Sequence, residues 1–295
     1  MAKLAPDRLV QGFTPWGTGY ASDDTEHTRM VLQCLIRDPE GGDGFEAAFR
    51  SELRWWFLQL PVGIGLGTAR ACLWNLLGFQ RSGVASAGNG PAMRAPILGA
   101  WNQSDAWLDA VVPRMTRITH VDARAEEGAR LVAGLAAVAV ERAPTAADVR
   151  ALARGAVAEA VEPVLVGLAE GRVPSELTPE PSGFVLHTVP AVVAVVLTHA
   201  TDFEAAVETA VRLGGDTDTV AAIVGAIVGT RVGRAGLPED WLAAYGDWPW
   251  TLSRLEDLAH ERPVSAAPIG LFKVGLALPL AVFHLFRRYA TVLRA

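Results

Sequence analysis

The stretch Leu213-Gly-Gly-Asp-Thr-Asp-Thr-Val220, followed directly by the apolar run Ala221–Thr230, decides how the rest of the chain is interpreted. It places two carboxylates, Asp216 and Asp218, at the start of a predicted apolar helix. Closely spaced oxygen donors of this kind suit a hard divalent cation such as Mg²⁺ or Mn²⁺. The alternative is a helix cap, because Asp or Thr before a helix is most often an N-cap. A second acidic cluster would favour the cation site.

Such a cluster stands near the N-terminus, where Ser22-Asp-Asp-Thr25 opens another predicted helix. A capping box, in which Asp23 caps the helix and Glu26 reaches back, would explain one of the two acids. It does not explain Asp24, because two neighbouring carboxylates repel one another unless a cation or solvent separates them. The repeated pattern of one hydroxyl and two acids at a helix start therefore predicts the two halves of a cation site.

Charge and cysteine content exclude several classes of function. The 295 residues include 26 basic and 32 acidic side chains, net −6, and the basic residues do not cluster. This distribution argues against a nucleic-acid partner. Cys34 and Cys72 lack metal-ligand spacing and cannot form a disulfide framework, which indicates a reducing compartment. The N-terminus has no apolar core typical of a signal peptide, so we expect a cytoplasmic protein.

One apolar segment, residues 268–286 (PIGLFKVGLALPLAVFHLF), has the length of a membrane span. It contains Lys273, and a charged residue inside a span is costly. We therefore predict that residues 264–295 form a C-terminal helix that packs in the core or docks on the surface. Membrane association of residues 268–286 stays open as the alternative.

The remaining pattern predicts an all-α fold. Residues 124–140, 146–168 and 190–197 are rich in Ala, Val and Leu and show little of the alternation typical of strands. Glycine and proline mark residues 1–20 and 171–183 as loops. No change in composition indicates a domain boundary, so residues 1–295 are expected to form one compact helical bundle.

In the predicted helix after Asp218, a small residue recurs at every fourth position: Ala221, Gly225, Gly229 and Gly233. Glycine inside a helix costs about 1 kcal/mol relative to alanine. Three of them on one face predict close backbone contact with another helix.

Gly88-Asn-Gly90 has two interpretations. Its backbone N–H groups could converge on an anion at the start of a helix, or it could be a simple turn, since Asn-Gly is a common turn pair. Arg94, shortly after it, could contact a phosphate or form a structural ion pair. His120 follows Thr119 near a predicted helix end, and a histidine in such a place is more often a cap or core residue than a ligand.

The two acidic motifs together resemble the ADP-ribosylglycohydrolase family, which includes the dinitrogenase reductase-activating glycohydrolase and the ADP-ribosyl-acceptor hydrolases. Members carry Thr/Ser-Asp-Asp-Thr near the N-terminus and Gly-Gly-Asp-Thr-Asp-Thr late in the chain, and here these stand at residues 22–25 and 214–219. The resemblance extends from about residue 20 to about residue 260. It implies a compact all-α bundle that holds two Mg²⁺ or Mn²⁺ ions, and a monomer is expected.

The resemblance also implies roles for individual residues. Asp24 is favoured as the general base, with Asp23 as the second candidate. Hydrolysis at the ribose anomeric carbon passes through an oxocarbenium-like state, and two cations can orient the ribose hydroxyls and acidify a bound water. The implied cation ligands are Ser22, Asp23, Asp24, Asp216, Asp218 and Thr219. The residues implied to line the ADP-ribose cleft are Gly88, Asn89, Gly90, Met93, Arg94 and His120, with the backbone of Gly214 and Gly215.

The expected function is metal-dependent hydrolysis of the glycosidic bond between ADP-ribose and a protein side chain, arginine by default, or a small acceptor. The expected partner is therefore an ADP-ribosylated protein or a small ADP-ribose conjugate. Three departures from the family pattern motivate alternatives. Nothing before Phe13 resembles the family's first helix, Ser22 replaces the usual Thr, and Val62 stands where many members have Asp. A non-catalytic ADP-ribose or nucleotide binder is one alternative, and a structural protein that keeps the motifs as caps is another.

Overall fold

The structure, a computed structural model, describes residues 21–61, 63–247 and 250–260. All regular secondary structure in these ranges is helical, which confirms the predicted all-α fold. Two isolated bridges join Val84 to His120 and Gly88 to Phe184. The helices are α1 Asp23–Arg37, α2 Asp43–Leu58, α3 Leu66–Leu76, α4 Gly90–Met93, α5 Pro96–Trp101, α6 Asp105–Arg117, α7 Ala123–Glu141, α8 Ala146–Leu152, α9 Gly155–Ala169, α10 Pro174–Leu177, α11 Val185–Thr198, α12 Phe203–Arg212, α13 Thr217–Val232, α14 Glu239–Ala244 and α15 Leu252–Ala259, with a 3-10 turn at Arg234–Gly236.

Helix α7 is the centre of the packing. It contacts α4, α5, α6, α8, α9, α11 and α13, and its residues from Gly128 to Ala137 are all buried. Small side chains allow neighbouring helices to come close. The closest approach is at Gly99 of α5, where an added Cβ would lie 1.8 Å from the carbonyl oxygen of Ala133. A helix that is apolar on all faces must be surrounded in this way.

Helix α13 connects this core to the N-terminal part of the chain. It packs against α1, α4, α5, α7, α11 and α12. Its inward residues Val220, Ile223, Val224, Ile227 and Val228 are buried. Because α13 also touches α1, the acidic motifs at the starts of these two helices belong to one region of the molecule.

The structure corrects two local predictions. Residues 146–168 do not form one helix: α8 ends at Leu152 and α9 begins at Gly155, whose positive φ of 52° breaks the helical backbone. The predicted close backbone contact along α13 is also wrong. Among the described residues, an added Cβ at Gly225 or Gly229 would meet the ring of Phe203 no closer than 3.6 Å, and Gly233 ends the helix with φ 66°.

Several predictions fall on residues outside the described ranges. These are the loop at 1–20, the departure at Val62, the C-terminal helix at 264–295 and the apolar run 268–286. Among the residues that the structure does describe, no helix has the length and apolar character needed to cross a membrane. Cys34 and Cys72 are buried free thiols, in agreement with the absence of a disulfide framework.

Candidate active site

The acids at the start of α1 do not serve as helix caps. Ser22 is the N-cap residue and makes no side-chain capping bond. Its hydroxyl instead donates to Oδ2 of Asp24 at 2.6 Å. The carboxylate of Glu26 accepts a hydrogen bond from Nε1 of Trp56 at 2.6 Å. The capping box expected between Asp23 and Glu26 is therefore absent, and the pair Asp23 and Asp24 needs another explanation.

The acids at the start of α13 are presented by a turn that only glycine can make. Gly214 and Gly215 have φ values of 80° and 65°, in the left-handed region that favours glycine. A Cβ on Gly215 would lie 1.9 Å from the carbonyl oxygen of Pro181. That carbonyl accepts a hydrogen bond from the backbone N–H of Asp216 at 2.9 Å. Asp216 is the N-cap residue of α13 but its side chain makes no capping bond.

The two acidic pairs face each other across the junction of α1 and α13. Burial, together with the charges of Asp24 and Asp218, raises the pKa of Asp23 to about 7. The pKa of Asp24 is raised to about 6, mainly by burial; its hydrogen bond with Ser22 limits the rise, and the charge of Asp218 contributes to it. Burial and the neighbouring Asp216 raise the pKa of Asp218. Charges from both motifs thus act on the same carboxyls, although the motifs lie far apart in the sequence.

Asn89 links the Gly88–Gly90 turn to this cluster. Its Nδ2 donates to Oδ2 of Asp216 at 2.7 Å and to Oγ1 of Thr188 at 3.0 Å. Its backbone N–H donates to the carbonyl of Gly183 at 2.9 Å. The backbone N–H of Gly88 donates to the Ser86 hydroxyl. These N–H groups already have partners, so the geometry favours the simple turn over a free anion cradle. The role of Asn89 beside Asp216 had no signature in the sequence.

Arg94 lies behind the cleft expected from the sequence and does not face it. Its side chain is fully buried. Nη1 lies 3.0 Å from Nδ1 of His27, and Nη2 donates to Oγ1 of Thr119 at 2.6 Å. Its guanidinium also lies over the ring of Phe49. Within the described residues Arg94 forms no ion pair, since its hydrogen-bond partners are Thr119 and His27, and its full burial argues against a phosphate contact.

His27, which the sequence did not single out, is neutral in this arrangement. Because an arginine can only donate, Nδ1 of His27 is the acceptor. Burial lowers the pKa of His27 well below its usual value, and the charge of Arg94 lowers it further. Arg94 itself has its pKa lowered to about 10 by burial. The pair forms a buried polar support beneath α1 and α4.

His120 lies against the glycine turn, close to where the resemblance places the cleft. An added Cβ on Gly88 or Gly90 would lie 3.0 or 3.2 Å from its ring. Its Nδ1 is 2.9 Å from Oγ1 of Thr119, and burial lowers its pKa to about 3. Met93, in contrast, belongs to the buried core. Of the eight residues expected to line the cleft, Met93 and Arg94 thus belong to the buried interior, and His120 is as deeply buried as they are.

Comparison with known proteins agrees with this arrangement. A family model described as ADP-ribosylglycohydrolase matches residues 1–268. The chain belongs to the ADP-ribosylglycohydrolase family. An uncharacterized protein of Archaeoglobus fulgidus is 30% identical over 278 residues, which cover 86% of this chain and 83% of the relative. A solved structure titled ADP-ribosylglycohydrolase-related protein complex superposes with a TM-score of 0.67 at 25% identity, covering 88% of this chain and 87% of that one. The resemblance and the fold predicted from the sequence are both confirmed.

Members of the ADP-ribosylglycohydrolase family often use divalent cations, and the residues present fit such ions in their chemistry. Among the described residues, Oδ1 of Asp24 is buried and has no partner at full hydrogen-bond geometry, although the Thr219 hydroxyl is near enough to this carboxyl to lower its pKa. A carboxylate oxygen buried in this way is unfavourable unless something satisfies it. The surrounding donors are hydroxyl and carboxylate oxygens, which Mg²⁺ and Mn²⁺ prefer. Within the described ranges no three or more His, Cys, Asp or Glu side chains are already arranged to hold a metal ion. The fit therefore rests on the donor set and on the unpartnered oxygen.

Proposed function

We propose that this chain is a metal-dependent glycohydrolase that releases ADP-ribose from a modified protein side chain, arginine by default, or from a small acceptor. One observation carries the proposal. Two acidic pairs that cap neither of their helices meet at the junction of α1 and α13, and one buried oxygen of Asp24 has no partner within the described part of the chain. Membership of the ADP-ribosylglycohydrolase family supports the class of substrate.

The proposed cation ligands keep the pattern expected from the sequence. Two bound cations would orient the ribose hydroxyls and lower the pKa of a water molecule. Asn89 holds Oδ2 of Asp216 through its Nδ2, and partners of this kind fix the orientation of a ligand and raise its affinity for metal. The proposed ligands are Ser22, Asp23, Asp24, Asp216, Asp218 and Thr219.

We assign the general base to Asp23 and not to Asp24, which the sequence favoured. Asp24 is almost fully buried and accepts a hydrogen bond from Ser22, so a water molecule has little access to it. Asp23 is only partly buried. Its carboxylate takes a proton from the attacking water while the oxygen of that water bonds to the anomeric carbon. The bond from that carbon to the acceptor breaks, and the acceptor leaves with the electron pair and takes a proton from solvent water, to which Asp23 later returns its own.

The proposed cleft for ADP-ribose runs along the glycine turns. Gly88, Asn89, Gly90 and His120 form one wall, and the turn of Gly214 and Gly215 forms another. Met93 and Arg94 support the first wall from behind. We further propose that residues 1–295 form one domain that acts as a monomer in the cytoplasm, in line with two free buried thiols.

The test is a hydrolysis assay against several linkages, including ADP-ribosyl-arginine and ADP-ribosyl-serine, with Mg²⁺ or Mn²⁺. We expect release of ADP-ribose by the native protein and a loss of at least about 100-fold in Asp218→Asn, because that carboxylate belongs to the cluster. Asp240→Asn is the matched control: it removes one exposed aspartate of α14 and should leave turnover unchanged. No release from any linkage would sink the enzyme proposal.

A non-catalytic ADP-ribose binder is the second candidate, and Val62 favours it, because many family members carry Asp at that point of the sequence. Calorimetry with ADP-ribose separates the two. Binding without turnover would favour the binder, and absence of binding would defeat both.

A further inference from the structure

Helices α2 and α3 carry an unusually apolar exposed surface. Nine large apolar side chains there are between 36% and 85% exposed. The other exposed large apolar side chains of the described residues are four valines, Val121, Val140, Val166 and Val173, spread along the chain. We call the nine residues the α2–α3 apolar surface: Trp55, Leu58, Leu60, Leu66, Leu73, Trp74, Leu76, Leu77 and Phe79.

Helix α3 buries small and polar residues, Thr68, Ala71, Cys72 and Asn75, and turns its large apolar side chains outward. The Asn75 side chain donates to the carbonyl of Arg50 at 2.8 Å and accepts from Nε of Arg54 at 3.2 Å. Polar bonds thus hold α3 on α2, whereas Leu66 and Trp74 point to solvent. A surface helix normally has the opposite arrangement, and a concentrated exposed apolar surface indicates that something covers it.

We propose that the occupant is the chain's own segment 268–286. This 19-residue run contains one charged residue, Lys273. Helix α15 ends at Ala259, packs on α1, and α1 packs on α2. The stack of Arg29 on the ring of Trp250, 3.9 Å apart, holds the start of α15 against α1. The chain therefore continues from a helix that is separated by α1 from α2, one of the two helices that carry the apolar surface.

The connection is long enough. Residues 260–267 separate α15 from the segment, and at about 3.3 Å per residue these eight residues reach about 26 Å. Packed helices lie about 8–10 Å apart, so this linker can pass from α15 across α1 to α2.

Tethering also favours this occupant over the alternatives. A segment joined by a short linker acts at an effective concentration in the millimolar range, which a second copy reaches only in concentrated solution. A net charge of −6 opposes binding to an anionic lipid surface. The proposal concerns the fold of the whole chain and is independent of the proposed hydrolysis.

The first test uses tryptophan quenching in the full chain. Leu276→Cys is labelled with bimane, which tryptophan quenches on contact; Cys34 and Cys72 are buried and do not compete for the label. We expect quenching that is independent of protein concentration and falls at least twofold in Trp55→Phe/Trp74→Phe. Trp101→Phe, a partly exposed tryptophan of α5, is the matched control and should leave the quenching unchanged. Quenching that ignores Trp55 and Trp74 would overturn the proposal.

The second test uses hydrogen exchange of the full chain. Leu276→Asp/Val282→Asp should speed exchange in residues 66–79 several-fold, and Leu66→Asp/Leu77→Asp should do the same in residues 268–286. Val166→Asp, which changes an exposed valine of α9, should affect neither. Protection that appears only at high protein concentration would assign the surface to a second copy, and protection that needs lipid vesicles would assign it to a membrane. Either result, or no protection at all, contradicts the proposal.

Discussion

Burial determines how the carboxyl of Asp24 contributes to stability. Its pKa of about 6 exceeds the usual value of 3.8 because the group is buried among other acids. One pKa unit corresponds to about 1.4 kcal/mol, so the ionised carboxylate destabilises the metal-free fold by up to about 3 kcal/mol. A bound cation would reverse this effect.

Replacing Asp24 by Asn should therefore stabilise the metal-free protein while removing its response to cations. We expect Asp24→Asn to unfold at a higher temperature than the native protein in EDTA at pH 8, and to gain less from Mg²⁺ or Mn²⁺. Thermal unfolding with and without cation measures both effects. Asp240→Asn should behave like the native protein. A variant that is less stable than native in EDTA would contradict the buried-charge argument.

His27 should make the fold sensitive to acid. Its folded-state pKa is depressed, so its contribution to stability is present above the unfolded pKa of about 6.5 and is lost as pH falls toward the folded pKa. Between pH 7.5 and 5 this loss amounts to about 2 kcal/mol. Protonation of Asp23 and Asp24 changes the free energy of unfolding in the opposite sense over the same pH range. Only a comparison between the native protein and a His27 variant therefore isolates the contribution of His27.

The measurement is urea unfolding of the native protein and of His27→Gln, both in EDTA, at pH 7.5 and pH 5. We expect the variant to be the less stable of the two at pH 7.5, because Arg94 loses its imidazole partner. The difference in free energy of unfolding between the two proteins should be about 2 kcal/mol smaller at pH 5. A gap that stays constant with pH would show that His27 gains a proton as readily in the folded state as in the unfolded state.

Asn89 should control cation affinity without touching a cation. Asn89→Ala removes the hydrogen bond to Oδ2 of Asp216, and the loss of such a partner typically weakens metal binding by about 10- to 100-fold. Calorimetric titration with Mn²⁺ measures the change. Thr188→Val is the matched control, because it removes the other hydrogen-bond partner of the same amide and leaves the bond to Asp216. Equal effects of the two substitutions would argue against a direct role of that bond.

At the scale of elements, two glycines should respond in opposite ways to alanine. Gly99→Ala places a methyl group 1.8 Å from the backbone of α7, so α5 must shift, and we expect a loss of about 3 kcal/mol or more. Gly225→Ala meets described atoms only at 3.6 Å and should be neutral or stabilising by up to about 1 kcal/mol. Chemical denaturation of both variants compares their free energies of unfolding. Equal destabilisation would show that α13 has a closer neighbour at Gly225.

These elements also show what the sequence could reveal. Periodic apolar residues and the polar residues before them located α1, α7 and α13, because helix formation depends on neighbours three or four positions away. The paired acidic motifs located the candidate site for the same local reason. The bond from Arg94 to His27 joins residues 67 positions apart, and no periodic pattern records such a contact. The spaced glycines of α13 led to a wrong prediction for a related reason. Their spacing shows that they share one face of the helix, but not what packs against that face, which at Gly225 is the ring of Phe203.

At the scale of the whole molecule, a bound cation would join both ends of the described chain. One pair of ligands precedes most of the fold and the other follows it, at α1 and α13. A ligand that binds only the folded state stabilises it by about 2.7 kcal/mol at a hundred times its dissociation constant. The stabilisation should be shared by both helices, because both carry proposed ligands.

Hydrogen exchange with and without Mn²⁺ should show this sharing. We expect residues 22–30 and 214–224 to exchange more slowly together when the cation is added, with a common dependence on its concentration. Residues 155–169 of α9, which lacks a proposed ligand, serve as the internal control. Protection of one acidic motif alone would mean that the motifs bind cations separately.

The hydrogen bond between Asn89 and Asp216 joins residues that are 127 positions apart in the sequence. This separation sets the time between the synthesis of the two partners. A ribosome adds about 5–20 residues per second, so several seconds pass between the synthesis of Asn89 and that of Asp216. The acidic residues of α1 are synthesised before Asn89, so a still longer time passes before the acidic residues of α13 are made. A nascent chain that has not yet reached α13 therefore contains half of the acidic cluster and cannot assemble the cation site. Completion of the proposed cation site therefore requires that synthesis has reached α13 and that α13 has packed against α1.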